Sequence, residues 1–156
     1  MRWNEIACIR RIASALTVAA MLAAAASASR AEGLPSSEKG RVLYLENCAS
    51  CHGRNLEGQP DWQEPLASGR LPAPPHDASG HTWHHPDRML FEITKFGPQA
   101  ILGPDYQSDM PAFAEVLDDA EIEAILDYIR STWPEAERAF QEARTRDDRA
   151  ATQSGQ

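Results

Sequence analysis

Cysteine is scarce in this chain: only three stand among 156 residues, an odd number that no set of disulfides uses completely. Basic charge is also short. Fifteen Lys and Arg face 23 Asp and Glu, for a net charge of −8. That balance lacks the clustered basic footprint of a nucleic-acid binder, so nucleic acid is not an expected partner. No apolar run reaches the roughly 20 residues of a membrane-spanning helix, and 24% of the residues are charged, which excludes a multi-span membrane protein. No stretch alternates apolar and polar residues as a half-buried strand does, so the fold class is read as all-α. The length suits one ordinary globular domain.

What is present begins with a leader. Arg2, Arg10 and Arg11 precede the apolar run Ile12 to Ala26, and small residues follow in Ala26-Ser27-Ala28 and Ser29-Arg30-Ala31. A basic start, a short apolar middle and a small-residue exit predict a signal peptide over residues 1–31, cleaved near Ala28 or Ala31. The product is expected to be periplasmic, more acidic than its precursor, and without stable membrane insertion after cleavage. Cys8 leaves with the leader, so Cys48 and Cys51 are the remaining thiols.

The exported part divides into a domain over 32–134 and a charged tail over 135–156. Ser36-Ser37-Glu38 caps a helix that runs to about Asn47. The Gly- and Pro-rich stretch from Asn55 to Pro75 reads as a long ordered loop. A second helix starts at Pro86 and ends before Gly97, with Met89, Leu90, Ile93 and Phe96 at helical spacing. Residues from Gly97 to about Leu117 are expected to be loop. Asp118 and Glu121 form a capping-box start for a helix that ends near Trp133, before Pro134. The tail, whose only aromatic residue is Phe140, is expected to be disordered towards its end.

Cys48-Ala49-Ser50-Cys51-His52 carries the chemistry. Two thiols three positions apart lie on nearly one side of a helical turn, where each can form a thioether with one vinyl group of a haem. The adjacent His52 then offers its imidazole to the iron. Rival readings of the pair lack support. Structural zinc needs four ligands and normally a second Cys or His pair, a thioredoxin-like motif needs a βαβ setting, and a plain disulfide leaves His52 without a role. One covalently attached haem c is therefore the expected cofactor. For the other face of the iron, Met110 lies in a loop followed by Pro111, whereas Met89 sits in a helical apolar rhythm where core filling is the simpler role. Met110 is the expected second ligand.

With these residues in place, the chain resembles the class I c-type cytochromes in their small bacterial periplasmic form, over roughly Ser37 to Trp133. Gly40-x-x-x-Tyr44-x-x-x-Cys48 is similar to that family's first helix, whose glycine lets the last helix cross closely. Cys48 to His52 is similar to its attachment motif, and Met110-Pro111 to its distal-ligand loop. The resemblance implies a cytochrome c-like fold of helices wrapped around one haem, with Ile125 and Tyr128 contacting Gly40 and Tyr44. It also implies a proline carbonyl that accepts a hydrogen bond from His52, a part open to Pro74 or Pro75. Tyr44, Trp83, Phe113, Ile125 and Ile129 are the residues expected to pack around the haem.

With both iron faces held, the expected function is one-electron transfer between periplasmic redox partners and not independent catalysis, so no catalytic residue is named. The acidic surface points to a donor and an acceptor with basic docking patches. One alternative is the haem subunit of a periplasmic dehydrogenase or oxidase. Another rests on His76, His81, His84 and His85, four histidines within ten residues, which read either as hydrogen-bonding loop residues or as a copper-handling, redox-sensing segment.

Overall fold

A computed structural model describes residues 35–155, and the expected signal segment 1–31 lies outside them. Among the described residues α1 spans Ser36–Asn47, α2 Ala49–His52, α3 Asp87–Phe96, α4 Pro98–Leu102, α5 Asp119–Ser131 and α6 Glu135–Ser154, with one 3-10 turn at Thr82–His84 and no strand. None of these helices is long and apolar enough to cross a membrane.

The central contact is the crossing of α1 and α5. Gly40 is buried in α1, and a Cβ there would fall on the backbone carbonyl of Ala124 and stand 3.0 Å from Tyr128 Cβ. Only a residue without a side chain allows so close an approach. One turn later Tyr44 is 0% exposed and packs on Tyr128 at 5.6 Å between ring centres. The expected pairing of Gly40 and Tyr44 with the last helix of the 37–133 region is therefore present.

α5 starts as its sequence dictates. Asp118 Oδ1 accepts from Glu121 N–H (2.8 Å) while Glu121 Oε2 accepts from Asp118 N–H (3.1 Å), which satisfies two amides that the first turn leaves unpaired. Ile122, Ile125 and Ile129 then form its buried stripe. At about 1.5–3 kcal/mol for each fully buried side chain, this stripe anchors the core. Leu43, Tyr44, Ala49, Leu56, Phe113, Leu117 and Trp133 complete it.

Two regions depart from expectation. The stretch expected to be loop from Gly97 to Leu117 contains α4. Gly97 takes a φ of +82°, which reverses the chain out of α3, and Pro98 starts the new helix with its ring already set for the first turn. Five residues are too few to show a periodicity in the sequence. The tail, expected to be disordered towards its end, is a single helix to Ser154. Its first turn carries Glu135 and Glu137, favourable at a helix N-terminus, and it packs in the same unit as α1 to α5.

The partner surface for α6 is the histidine segment. Phe140 meets Trp83 edge to face at 5.4 Å and lies 5.4 Å from His84. Gln141, 1% exposed, donates through Nε2 to Asp87 Oδ1 (2.7 Å), Thr145 Oγ1 (3.2 Å) and the His85 carbonyl (3.3 Å). Thr145 Oγ1 accepts from Asp87 N–H (3.0 Å), an amide at the start of α3 that has no partner within the helix. Arg88 grips Asp148 with two hydrogen bonds of 3.0 and 2.7 Å.

Candidate haem site

α1 ends at Asn47, yet the chain continues helically. Cys48 N–H donates to the Tyr44 carbonyl (2.8 Å), and His52 N–H to the Cys48 carbonyl (3.0 Å), before Gly53 at φ +84° stops the turn. This short α2 places both thiols and the imidazole on one turn. Both cysteines are free. Cys48 is half-buried and packs against the core, while Cys51 is exposed. Burial, with a smaller contribution from Cys51, pushes the Cys48 thiol up to about 12. A redox nucleophile or zinc thiolate has the opposite tendency, since it needs a lowered value.

His52 is 7% exposed. Its Nδ1 lies 2.8 Å from the Pro74 carbonyl oxygen, an atom that only accepts, so Nδ1 carries the proton and Nε2 keeps its lone pair. Burial lowers the imidazole's affinity for a second proton, and the Pro74 contact only partly offsets this. The ring is thus held neutral, in the tautomer a metal ligand requires, with its second nitrogen oriented by a carbonyl. Of the two candidate prolines, Pro74 is the one that makes this contact. Leu56 supports the arrangement. It is buried at φ +70°, and its carbonyl accepts from the amides of His76 (2.8 Å) and Asp77 (3.2 Å).

Met110 is half-buried and packs against the same core cluster as Cys48; Met89 is not part of it. Ser108 Oγ accepts from Met110 N–H (3.0 Å), and Phe113 N–H reaches the carbonyls of Thr94 and Lys95 (3.2 Å each), which ties this loop to the end of α3. Asp109 pairs with Arg70 at 2.5 Å, joining the Met110 loop to the loop before Pro74. Tyr44, Phe113, Ile125 and Ile129 lie in the core cluster and Trp83 packs against it, so the residues expected around a haem share one region. Two free thiols, an imidazole with a free Nε2 and a thioether are the donor set that haem c attachment and ligation call for. The residues fit the group.

The four histidines do not gather at one point. His76 stacks on His52 at 4.0 Å between ring centres. His81 stacks on Trp62 at 5.2 Å, and His85 meets His81 edge-on at 5.3 Å. His84 lies against Trp83 at 3.8 Å. Among the described residues no three His, Cys, Asp or Glu side chains converge as a metal site. The contact of His76 with His52 is what the sequence reading missed; its only sequence signal is the position of His76 directly after Pro74-Pro75.

A family comparison decides the assignment: the cytochrome c sequence model matches residues 37–133. The chain belongs to the cytochrome c family. That family transfers electrons and carries a covalently attached haem c, so haem c is this chain's cofactor too. Among curated proteins, the cytochrome c region is similar to the cbb3-type cytochrome c oxidase subunit CcoP of Azospirillum brasilense, at 30% identity over 102 residues. A second relative is the subunit of the same name from Azospirillum sp. (strain B510), at 30% identity over 95 residues. The matches cover 65% and 60% of this chain but only 30% and 27% of those subunits. No solved structure gives a significant match.

Proposed function

We propose that this cytochrome c family member is an exported monohaem one-electron carrier. Its haem is attached through Cys48 and Cys51, and its iron is held by His52 and Met110. The observation that supports this most directly is the His52 Nδ1–H···O=C bond to Pro74 at 2.8 Å within a turn carrying two free thiols. It orients a buried neutral imidazole with its remaining nitrogen free, as a proximal ligand needs. A thioether on the second face favours the reduced iron and raises the potential. Trp83 Nε1 and Arg70 Nε are buried N–H groups without an acceptor, donors of the kind that haem carboxylates would satisfy. Acidic charge suits brief docking to redox proteins with basic patches, at rates that fall as salt rises.

The test is the visible spectrum of the mature protein in both oxidation states. The expected result is a thioether-linked haem with the weak charge-transfer band of methionine-bound ferric iron, a band lost in Met110→Ala while attachment persists. Persistence of that band in Met110→Ala would remove Met110 from the ligand set. The CcoP relatives favour a second reading, that of a haem subunit serving one fixed oxidase, and a stable oxidase complex on purification would select it. The copper-handling reading has no such observation behind it.

A further inference from the structure

His76 is placed too firmly against His52 to be a loop residue of no consequence. Its ring lies 4.0 Å from the His52 ring and only 20° from parallel. Three hydrogen bonds fix it. Its amide donates to the Leu56 carbonyl (2.8 Å), and its carbonyl accepts from Trp133 Nε1 (2.7 Å). Its Nδ1 lies 2.8 Å from Thr82 Oγ1; that hydroxyl is turned to the Pro75 carbonyl (3.4 Å), which leaves the oxygen to accept from the ring. Tyr44 closes the remaining side, with its ring 6.3 Å away and nearly edge-on at 71°. Tyr44 is itself pinned by its hydroxyl, which donates to the Gly53 carbonyl (2.8 Å).

The Pro74 carbonyl and the stack restrain different motions. A single hydrogen bond at Nδ1 fixes where that atom points but still allows the ring to rock about the bond. A flat ring lying nearly parallel to His52, tied at its own Nδ1 and carried on a backbone tied at two more points, removes that freedom. Two of the ties lead to residues far off in the chain, Leu56 and Trp133 just past the end of α5, so the clamp is set by tertiary packing. We propose that His76 is a positioning residue that fixes the plane of the His52 imidazole, and through it the orientation of the proximal ligand at the iron. The inference rests on the proposed role of His52 as that ligand.

The test uses the full-length chain, exported and matured with haem, as wild type, His76→Leu and His76→Phe. All three are expected to hold equal haem and to keep the methionine charge-transfer band. His76→Leu is expected to broaden the ferric electron paramagnetic resonance signal and to split the haem-methyl proton resonances into more than one set. It should also shift the one-electron reduction equilibrium by up to ~10-fold, ~59 mV. His76→Phe restores a flat ring but not the tie to Thr82, and is expected to narrow the spectrum part of the way back to wild type. If His76→Leu does not accumulate, Thr82→Val keeps the ring but removes the same tie, and a partial broadening like that of His76→Phe is expected. A narrow, wild-type spectrum in His76→Leu or Thr82→Val overturns the proposal, as does a His76→Phe spectrum as broad as that of His76→Leu. A wild-type spectrum without histidine-ligated iron overturns both this proposal and the function beneath it, whereas intact ligation with an indifferent His76 overturns this one alone.

Discussion

The α1–α5 crossing and the seat of α6 on the histidine segment solve the same problem, joining a helix to the body, by opposite means. The crossing is close and largely apolar: Gly40 lies under the Ala124 carbonyl, Tyr44 packs on Tyr128, and three isoleucines stand behind them. The α6 seat is more polar, built from a buried glutamine, a threonine that caps a neighbouring helix, aromatic edges around Phe140 and the Arg88–Asp148 pair. The first lies within the residues that match the cytochrome c family, 37–133, and α6 lies beyond them. Contact by van der Waals fit tolerates almost no change in shape. Contact by hydrogen bonds tolerates shape change but fails when one partner is lost, because the other is left buried and unpaired.

Substitutions should separate the two modes. The largest effect is expected at Gly40→Val, where the new side chain meets backbone and the helices must move apart. We expect a loss of about 3 kcal/mol, read from the denaturation midpoint of the mature protein, and a loss of less than a third of that in Arg41→Val beside it would show the effect to be specific to the crossing. Gln141→Ala should cost less, about 1–2 kcal/mol, while leaving the haem spectrum unchanged. A spectrum altered by Gln141→Ala would mean that the α6 seat and the haem site are not separable.

The smallest expected effect is an acid sensitivity that shows first at the α6 seat. Burial lowers the pKa of His81 and of His85, with the neighbouring His84 adding to it for His81, and His81, His84 and Arg144 for His85. A histidine whose folded value is depressed binds its proton more readily when unfolded. Stability from keeping these rings neutral is therefore full at neutral pH and falls as pH drops below the ordinary histidine value of about 6.5. Hydrogen exchange at pH 7 and at pH 5 should show α6 amides losing protection first, by less than about tenfold, ahead of those of α1 and α5. Equal loss in all three helices would count against the distinction.

Much of the fold was legible because local physics fixed it. The Asp118–Glu121 capping box and the Pro86 and Gly97 boundaries fall where the structure puts them. The tail was not legible, because its docking face carries no apolar period: Phe140, Gln141 and Thr145 are joined to partners near residue 85 in the chain, and a charged sequence gives no hint of them. α4 was hidden by its brevity. At the site, the Cys48–His52 spacing was readable because it is confined to one helical turn. The choice of Pro74 over Pro75, and the stack of His76 on His52, depend on how a loop of more than twenty residues returns to its start.

The sequence alone determined the chemistry within reach of a single turn, namely two thiols and an imidazole in register, together with the helices whose ends carry their own caps. Only the tertiary structure decided which carbonyl holds His52, which ring lies against it and what α6 covers. Those contacts join residues far apart in the chain, and their energy depends on distance and angle in space, quantities that no local run of residues specifies.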